Sequence, residues 1–347
     1  DHIRCAEFEL PFRDGDKFGK EDLSEMLAYL QEHGVVHHEG GQWHWMEDSY
    51  PANSVSLRSV AEGNFVVIDT TNGAQTVIAE VDYSSAPETI YEGAIYMIQS
   101  APYQVERLDW DGRKAFVTRT RADYYTDAID YTRLKILEGF EQQQHVAQGE
   151  VHLVRRIAGY KKIRYYTHEN IGFGNIDLPD QEMHTTAVWW QVSPDALDNT
   201  FESRQQALDG FLGAGYALHI VAAMRMLSEQ RDIGRAVGDG NAEWFATVGS
   251  NGRGQMRNSD GEALDPMSMQ RFTPTLFLYD NYPGGIGISA PLFENRTAIV
   301  EDARALVTDC ECAHGCPSCI GPILASDEVR GFSPKQVALK VLGMLSL

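Results

Sequence analysis

The chain has 347 residues, of which 43% are hydrophobic and 23% are charged, a composition typical of a globular protein with two or three hydrophobic cores. Its formal net charge of −21 excludes a protein coated with positive charge, so any contact with nucleic acid must be confined to a local basic patch. Four of the five cysteines lie between positions 310 and 319, a distribution unlike a secreted disulfide framework, and we expect a reducing, cytoplasmic compartment.

Residues 1–52 are predicted to form a small winged-helix-like unit. Apolar residues at i, i+3, i+4 and i+7 from Leu23 predict a helix that Gly34 ends. Two short apolar runs then flank Gly40–Gly41, a pattern typical of a hairpin. A helical cap with an exposed hairpin is the alternative interpretation.

The first residue is not methionine and no signal peptide follows, so we expect the sequence to begin inside a longer protein.

Residues 53–195 are predicted to form a β-rich domain, either an antiparallel sheet or a small barrel. This domain either ends near residue 195 or is continuous with the next one. The β-rich runs are Val55–Leu57, Phe65–Ile68, Val77–Val81, Tyr103–Val105, Val151–Tyr166 and Thr186–Val192. Asn72–Gly73 and Asp111–Gly112 lie between such runs and predict two-residue hairpin turns, because both central positions need a positive φ. We expect a further turn at Ala158–Gly159.

Residues 196–347 are predicted to form a helical domain, which gives the α+β fold class to the whole chain. The expected elements are a buried helix over Ala207–Leu227, a loop over Gly249–Asp265, a buried strand over Thr275–Tyr279, and helices over Leu292–Val307 and from Pro334 onward. The apolar run in the first helix contains His219 and Arg225 and falls short of the ~18 uninterrupted apolar residues of a membrane span. We therefore expect a core helix and no membrane contact.

Four clustered cysteines are the strongest chemical signal in the sequence. Cys310, Cys312, Cys316 and Cys319 follow the spacing C-x-C-x3-C-x2-C on a loop that contains glycine and proline. Four thiolates that converge on one point suit a zinc ion, and such a closed ligand set predicts a structural site. The alternatives are two local disulfides, an iron–sulfur cluster or a redox-active cysteine. We expect His314 to face solvent or support the ligands.

The four cysteines, together with several other segments, resemble the C-terminal region of the mitomycin-repair DExH-box helicases, bacterial relatives of the fungal RecQ-four-like helicases. The residues that carry the resemblance are Arg4–Pro11, Val55–Ser59, Gly93–Tyr96, Tyr279–Gly287 and the four cysteines. The resemblance covers most of the chain, and its specific parts are the glycine-rich turn and the cysteine spacing.

The resemblance implies a winged-helix unit and a four-cysteine zinc domain that follow two RecA-like motor domains. Helicases of this family move 3′ to 5′ on single-stranded DNA with ATP and act in the repair of cross-linked or alkylated DNA. The implied role of this region is to guide DNA past the motor. The implied partners are single-stranded DNA and the protein's own motor domains, and ATP and magnesium would enter only through those domains.

The sequence itself contains no motor chemistry that we recognise. It lacks the G-x-x-x-x-G-K-[ST] loop that cradles phosphates, and it shows no aspartate–glutamate pair in a motor context to hold magnesium. Gly284–Gly287 follows a predicted strand, and without a lysine it favours a tight structural turn over a phosphate cradle. We therefore expect no catalytic residue and no ATP hydrolysis from this chain.

A basic stretch between Val151 and His168 is the candidate DNA surface. Its cations are Arg155, Arg156, Lys161, Lys162 and Arg164, and its tyrosines are Tyr160, Tyr165 and Tyr166. Cations can track phosphates and tyrosines can stack on unpaired bases, which suits single-stranded DNA. The alternative is a solvated hairpin face with core tyrosines. A second, weaker candidate consists of Arg113, Lys114, Arg119 and Arg121.

Three functions compete at this point. The leading hypothesis is an accessory DNA-binding and zinc-binding region of an ATP-dependent repair helicase. The alternative is a zinc-containing protein-interaction subunit of a phage-defence complex. A third hypothesis, a free-standing hydrolase with a carboxylate-rich cleft, depends only on the acidity of the chain.

Overall fold

The computed structural model describes residues 2–19, 21–48, 50–54, 63–73, 75–167, 169–248, 253–269, 271–321 and 331–346. The chain divides into two compact units, Asp1–Val60 and Ala61–Leu347. Both contain helices and mostly antiparallel strands, so the predicted α+β class is confirmed.

The first unit contains two helices and two short hairpins. Its elements are α1 (His2–Glu9), β1 (Lys17–Phe18), β2 (Glu21–Asp22), α2 (Ser24–Glu32), β3 (Val36–Glu39) and β4 (Gln42–Trp45). Leu23 and Leu27 are buried, and Gly34 has a φ of 73° just after α2, where most other residues would be strained. The predicted helix and hairpin are confirmed, and the winged-helix assignment remains a prediction.

The second unit begins with a five-stranded sheet, the small sheet. Its elements are β5 (Asn64–Asp69), β6 (Thr76–Asp82), α3 (Ala86–Thr89), β7 (Ile95–Ile98), β8 (Ala101–Asp109) and β9 (Lys114–Arg119). The order is β6-β5-β9-β8-β7, and all pairs are antiparallel except β5–β9. The predicted turns at Asn72–Gly73 and Asp111–Gly112 lie between β5 and β6 and between β8 and β9, but neither connection is a two-residue turn. Asn72 and Gly73 have the predicted positive φ, whereas in the second connection the positive φ of 51° is at Arg113. The predicted run Val55–Leu57 lies outside the described residues.

A nine-stranded sheet, the large sheet, forms the centre of the second unit. Its strands are β10 (Tyr124–Gln143), β11 (Val146–Arg164), β12 (Asn170–Asn175), β13 (Gln181–Gln191), β14 (Ile233–Gly238), β15 (Trp244–Val248), β16 (Gly254–Asn258), β17 (Ala263–Leu264) and β18 (Thr275–Asp280). The order is β10-β11-β13-β18-β14-β15-β16-β17, with β12 beside β11. A bridge between Lys135 and Asn241, and a 2.9 Å bond from the Ile136 amide to the Gly240 carbonyl, join β10 to the β14–β15 turn. The sheet therefore curls back on itself like a barrel.

Two cores lie on opposite faces of the large sheet. Inside the curl, Leu153, Trp189 and Phe277 form an apolar cluster. Helices cover the other face: α4 (Pro194–Thr200), α5 (Arg204–Met226), α6 (Ser289–Glu294), α7 (Arg296–Asp309) and α8 (Pro334–Leu345). Helix α5 is long and apolar enough to cross a membrane, but 78% of an 18-residue window of it is buried in the protein. The predicted core helix is thus confirmed.

Three local predictions are wrong. Ala158–Gly159 is not a turn, because β11 runs through it and the pairing with β10 only shifts register there. A Cβ at Gly159 would lie 2.7 Å from the carbonyl oxygen of Gly174, so glycine permits close strand approach at this bulge. The predicted loop Gly249–Asp265 contains β16 and β17, while residues 249–252 lie outside the described residues. The predicted helix Leu292–Val307 is interrupted at Asn295.

The division into domains 1–52, 53–195 and 196–347 remains a prediction. Strands from both sides of residue 195 lie in the large sheet, where β13 pairs with β18. The third predicted domain therefore contributes strands as well as helices.

Candidate zinc centre and nucleic-acid surface

The four predicted zinc ligands lie on a tight loop after helix α7. Cys310 ends that helix in an extended conformation. Farther along, the amides of Cys319 and Ile320 donate hydrogen bonds of 3.1 and 3.2 Å to the carbonyl of Cys316. This turn reverses the chain, so that the four thiols converge.

The sulfur positions have the dimensions of a single-ion site. The Sγ atom of Cys310 lies 3.4 Å from that of Cys312 and 3.5 Å from that of Cys316. The Sγ atom of Cys319 lies 3.6 Å from those of Cys312 and Cys316, and all four sulfurs lie within 4.8 Å of one another. A tetrahedral zinc ion about 2.3 Å from each sulfur separates the sulfurs by about 3.8 Å. The thiols therefore fit one zinc ion.

The same distances argue against the alternatives. A disulfide needs sulfurs about 2.05 Å apart, and all four cysteines are free thiols. An iron–sulfur cluster distributes its thiolates over several iron atoms, which spreads the sulfurs farther apart than ligands of one ion. Four protein ligands also leave no open coordination position, so the zinc would be structural.

Neighbouring groups fix the loop in this shape. Gly315 has a φ of 118°, and a side chain there would collide with Ile320. From helix α8, the Lys335 ammonium donates to the carbonyls of Cys310 and Cys312, the latter at 3.0 Å. The Lys335 amide also donates to the carbonyl of His314 at 2.9 Å, and the His314 side chain is exposed. The loop is therefore held to the helical layer by both sequence neighbours and α8.

The environments of the thiols differ. Cys319 is 1% exposed within the helical core, and burial raises the pKa of its thiol to about 12. Burial also opposes ionisation of Cys316, but hydrogen bonds from the Cys310 thiol and the Ser318 amide lower the pKa of Cys316 to about 7. Zinc binding must therefore displace a proton from the buried Cys319 thiol. Cys5, in α1, is a half-buried free thiol.

The glycine-rich turn after β18 closes around a carboxylate of the protein itself. Asp280 is 1% exposed, and its Oδ2 accepts hydrogen bonds from the Thr186 hydroxyl (3.0 Å) and the Ile288 amide (3.1 Å). Burial raises the pKa of this carboxyl, although backbone amides including that of Ile286 act to lower it. Because Asp280 occupies these amides, the turn is structural, and the phosphate-cradle interpretation is not supported.

Three of the five predicted DNA-binding cations form salt bridges, and a fourth, Lys161, lies directly opposite Asp127 on β10. Arg155 is paired with Glu88 at 3.1 Å and donates to Asn281 at 2.7 Å, with only 11% of its side chain exposed. The other two pairings are Arg156 with Asp180 at 2.8 Å, and Arg164 with Asp123 at 3.8 Å and Glu169 at 3.6 Å. The partners of Arg155 and Arg156 lie 24 to 126 residues away along the chain, so no local pattern indicates them.

The other two cations lie near an aromatic cluster at the end of the large sheet. Lys161 and Lys162 point to opposite faces of β11, and the Lys162 ammonium lies 5.5 Å from the ring centre of Tyr124. Tyr160 belongs to the core under the small sheet. We define the aromatic edge as Tyr124, Tyr125, Lys162, Tyr165 and Tyr166.

Three rings of the aromatic edge lie next to one another. The ring of Tyr165 lies 5.7 Å from that of Tyr125 and 6.5 Å from that of Tyr166, and Tyr166 is 98% exposed. Sequence reasoning missed Tyr124 and Tyr125, which reach this site only because β10 pairs with β11. The assignment of the basic stretch to DNA binding remains a prediction.

A cleft of about 1120 Å³ opens where the β10–β11 hairpin meets β13 and the β14–β15 turn. Its lining includes Asp239, which is 6% exposed. The Oδ1 atom of Asp239 accepts the amides of Glu243 at 2.7 Å and Trp244 at 3.1 Å. This carboxylate stabilises a turn, so it lends no support to the hydrolase hypothesis.

Comparison with known proteins identifies relatives along the whole chain. Residues 214–320, which contain all four cysteines, match the family described as the MrfA Zn-binding domain. The ATP-dependent helicase YprA of Bacillus subtilis is 35% identical over all of this chain and 42% of its own length. The ATP-dependent helicase HRQ1 of Saccharomyces cerevisiae is 26% identical over 92% of this chain and 28% of its own length.

A solved structure agrees with these relatives. The crystal structure of the DUF1998 helicase MrfA bound to DNA matches 99% of this chain and 42% of that protein, with 32% identity and a TM-score of 0.55. The chain thus spans less than half the length of each of these helicases. Residues 214–320 form an MrfA-type zinc-binding domain, and the chain is homologous to the C-terminal region of the YprA, Hrq1 and MrfA helicases.

Proposed function

We propose that this chain is the accessory region of an ATP-dependent 3′–5′ DNA repair helicase, which guides single-stranded DNA for RecA-like motor domains in the cytoplasm. The observation that carries the proposal is the match of the entire chain to one part of the helicase YprA, with the zinc thiols inside the matched domain. A solved relative of the same architecture has been crystallised with DNA.

The zinc centre would contribute stability and not catalysis. It joins the end of α7 to the start of α8 through Lys335, and both helices pack against α5. A rigid helical layer would in turn fix the large sheet, whose far end carries the aromatic edge. Zinc loss would then weaken DNA binding indirectly, through unfolding of the layer.

The aromatic edge would provide the contact with single-stranded DNA. Exposed aromatic rings stack on unpaired bases of any sequence, with about 1–3 kcal/mol for each base. Lys162 beside Tyr124 supplies a cation for the phosphate backbone at the same place. Because the net charge is −21, the binding of DNA by this chain alone would be weak and sensitive to salt.

The test measures binding of a fluorescent oligonucleotide by anisotropy over a series of salt concentrations. A variant with Lys161, Lys162 and Arg164 changed to alanine should flatten the salt slope by about 0.7 for the phosphate contact of Lys162 alone, and by no more than about 2 for three contacts, at ~0.7 per contact on a single strand. The matched control changes Lys114, Arg119 and Arg121 to alanine. A parental slope in the first variant, or a flattened slope only in the control, would move the site to the small sheet.

Stacking is tested separately through an exposed tyrosine. Tyr166→Ala should weaken binding roughly 5- to 150-fold, the equivalent of about 1–3 kcal/mol, without loss of stability because the side chain is 98% exposed. Tyr29→Ala, at a tyrosine 59% exposed in the first unit, is the control. If no variant changes DNA binding and the parent binds none, the protein-interaction alternative gains support.

A further inference from the structure

We propose that His152 and His184 form a second metal site, which binds one divalent transition-metal ion and is distinct from the four-cysteine centre. The site lies on the large sheet, where the two histidines are directly opposite each other on β11 and β13. Glu150 and Glu182 complete it.

Strand geometry places all four side chains together. Residues directly opposite on antiparallel strands share a face, and so do residues two positions apart on one strand. Glu150 precedes His152 by two positions and Glu182 precedes His184 by two positions. The Glu–His–His–Glu set therefore forms a continuous polar strip across β11 and β13.

Each imidazole is held by one glutamate. The Nε2 atom of His152 lies 3.3 Å from Oε2 of Glu182, and the Nδ1 atom of His184 lies 3.1 Å from Oε1 of Glu150. In protein metal sites a ligating histidine commonly donates its other ring N–H to a carboxylate, which fixes the ring and increases its basicity. The same arrangement here leaves one nitrogen of each ring for an ion, and the two carboxylates offset the charge of that ion.

The separation of the rings agrees with one shared ion. The ring centres of His152 and His184 lie 5.2 Å apart. If both rings point at a tetrahedral ion about 2.0–2.1 Å from one nitrogen of each, their centres lie roughly 5.2 Å apart. Imidazole ligands suit Zn²⁺, Ni²⁺ and Cu²⁺, and water would complete the coordination. The His184 side chain is 64% exposed, so an ion can enter from solvent.

The first unit offers a matched control. His37 and His44 also lie directly opposite each other, on β3 and β4. Among the described contacts, neither ring of that pair is bonded to a carboxylate or lies against the other ring. A cross-strand pair without these two features should bind an ion far more weakly.

The experiment titrates NiCl2 and, separately, ZnCl2 into the zinc-loaded chain by calorimetry. The parent should take up one additional ion per chain. Changing His152 and His184 together to asparagine should abolish that uptake, and Glu182→Gln should weaken it about 10- to 100-fold. Changing His37 and His44 to asparagine should leave it intact. A parent that takes up no second ion, or uptake that survives the His152 and His184 changes, overturns the proposal.

A second measurement guards against a variant that fails to fold. Paramagnetic Ni²⁺ is added to the zinc-loaded parent, and the imidazole signals are followed by NMR. The signals of His152 and His184 should broaden first. Earlier broadening of other histidines, or uniform broadening of all of them, would refute the site without any mutation.

Discussion

Replacing Cys316 by serine tests the zinc centre most directly. Binding of structural zinc contributes roughly 10–16 kcal/mol to the folding of zinc-finger peptides, so each of four ligands accounts for roughly 2.5–4 kcal/mol. Such a loss corresponds to a zinc affinity about 100- to 1000-fold weaker. At about 2–4 °C per kcal/mol for a domain of this size class, the melting temperature of the second unit should fall by roughly 10 °C.

The structure explains why the effect should be large. The Cys316 sulfur lies 3.5 Å from that of Cys310 and 3.6 Å from that of Cys319, and its carbonyl also anchors the turn. The serine oxygen is a poorer ligand and would leave Cys319, buried in the helical core, without its ion. The loop would then lose its contact with Lys335 and the start of α8.

The assay combines elemental analysis with thermal unfolding followed by circular dichroism. The parent should carry about one zinc per chain, and the Cys316→Ser variant should carry less and melt earlier. Cys5→Ser, at the half-buried cysteine of α1, is the control and should retain both properties. A zinc-free parent, iron in place of zinc, or unchanged melting after removal of zinc would refute the reasoning.

Two further predictions concern the glycine-rich turn and the absence of a motor. Gly285→Ala should destabilise the chain by about 1–3 kcal/mol more than Gly284→Ala does, as measured by urea unfolding. Both glycines have a positive φ, but only at Gly285 would the added Cβ meet Thr186, 2.7 Å away; equal effects would contradict this account. The purified chain should hydrolyse no ATP with or without DNA in a phosphate-release assay, and DNA-stimulated hydrolysis that persists through further purification would contradict the proposed function.

Local signals in the sequence were sufficient to predict the cysteine cluster and the core helix. The four cysteines lie within one turn-rich loop, so their spacing alone limits the geometry they can adopt. The apolar run of α5 is equally local, and its burial follows from its composition. The glycine-rich turn was also predictable, because Gly284 and Gly285 adopt the positive φ that favours glycine.

Non-local pairing explains what the sequence could not predict. Strand β10 carries many charged and polar residues in its second half, and it is a strand because β11 pairs with it along almost its whole length. Likewise, the sequence predicted that Arg155 contacts DNA. In the structure Glu88, 67 residues away, neutralises its charge, and Asn281, 126 residues away, accepts a hydrogen bond from it. Neither partner follows from a periodic pattern near the residue.

Strand β18 limits which segment of this chain could be transferred to another protein as a folded zinc domain. It lies between β14, inside the matched residues 214–320, and β13, outside them. A segment with only the matched residues would present one edge of β18 with unpaired amides and carbonyls, and such edges promote aggregation. The segment that matches the zinc-binding domain family is thus smaller than the unit that folds. Recombination could transfer this zinc domain to another protein only together with a strand that covers the edge.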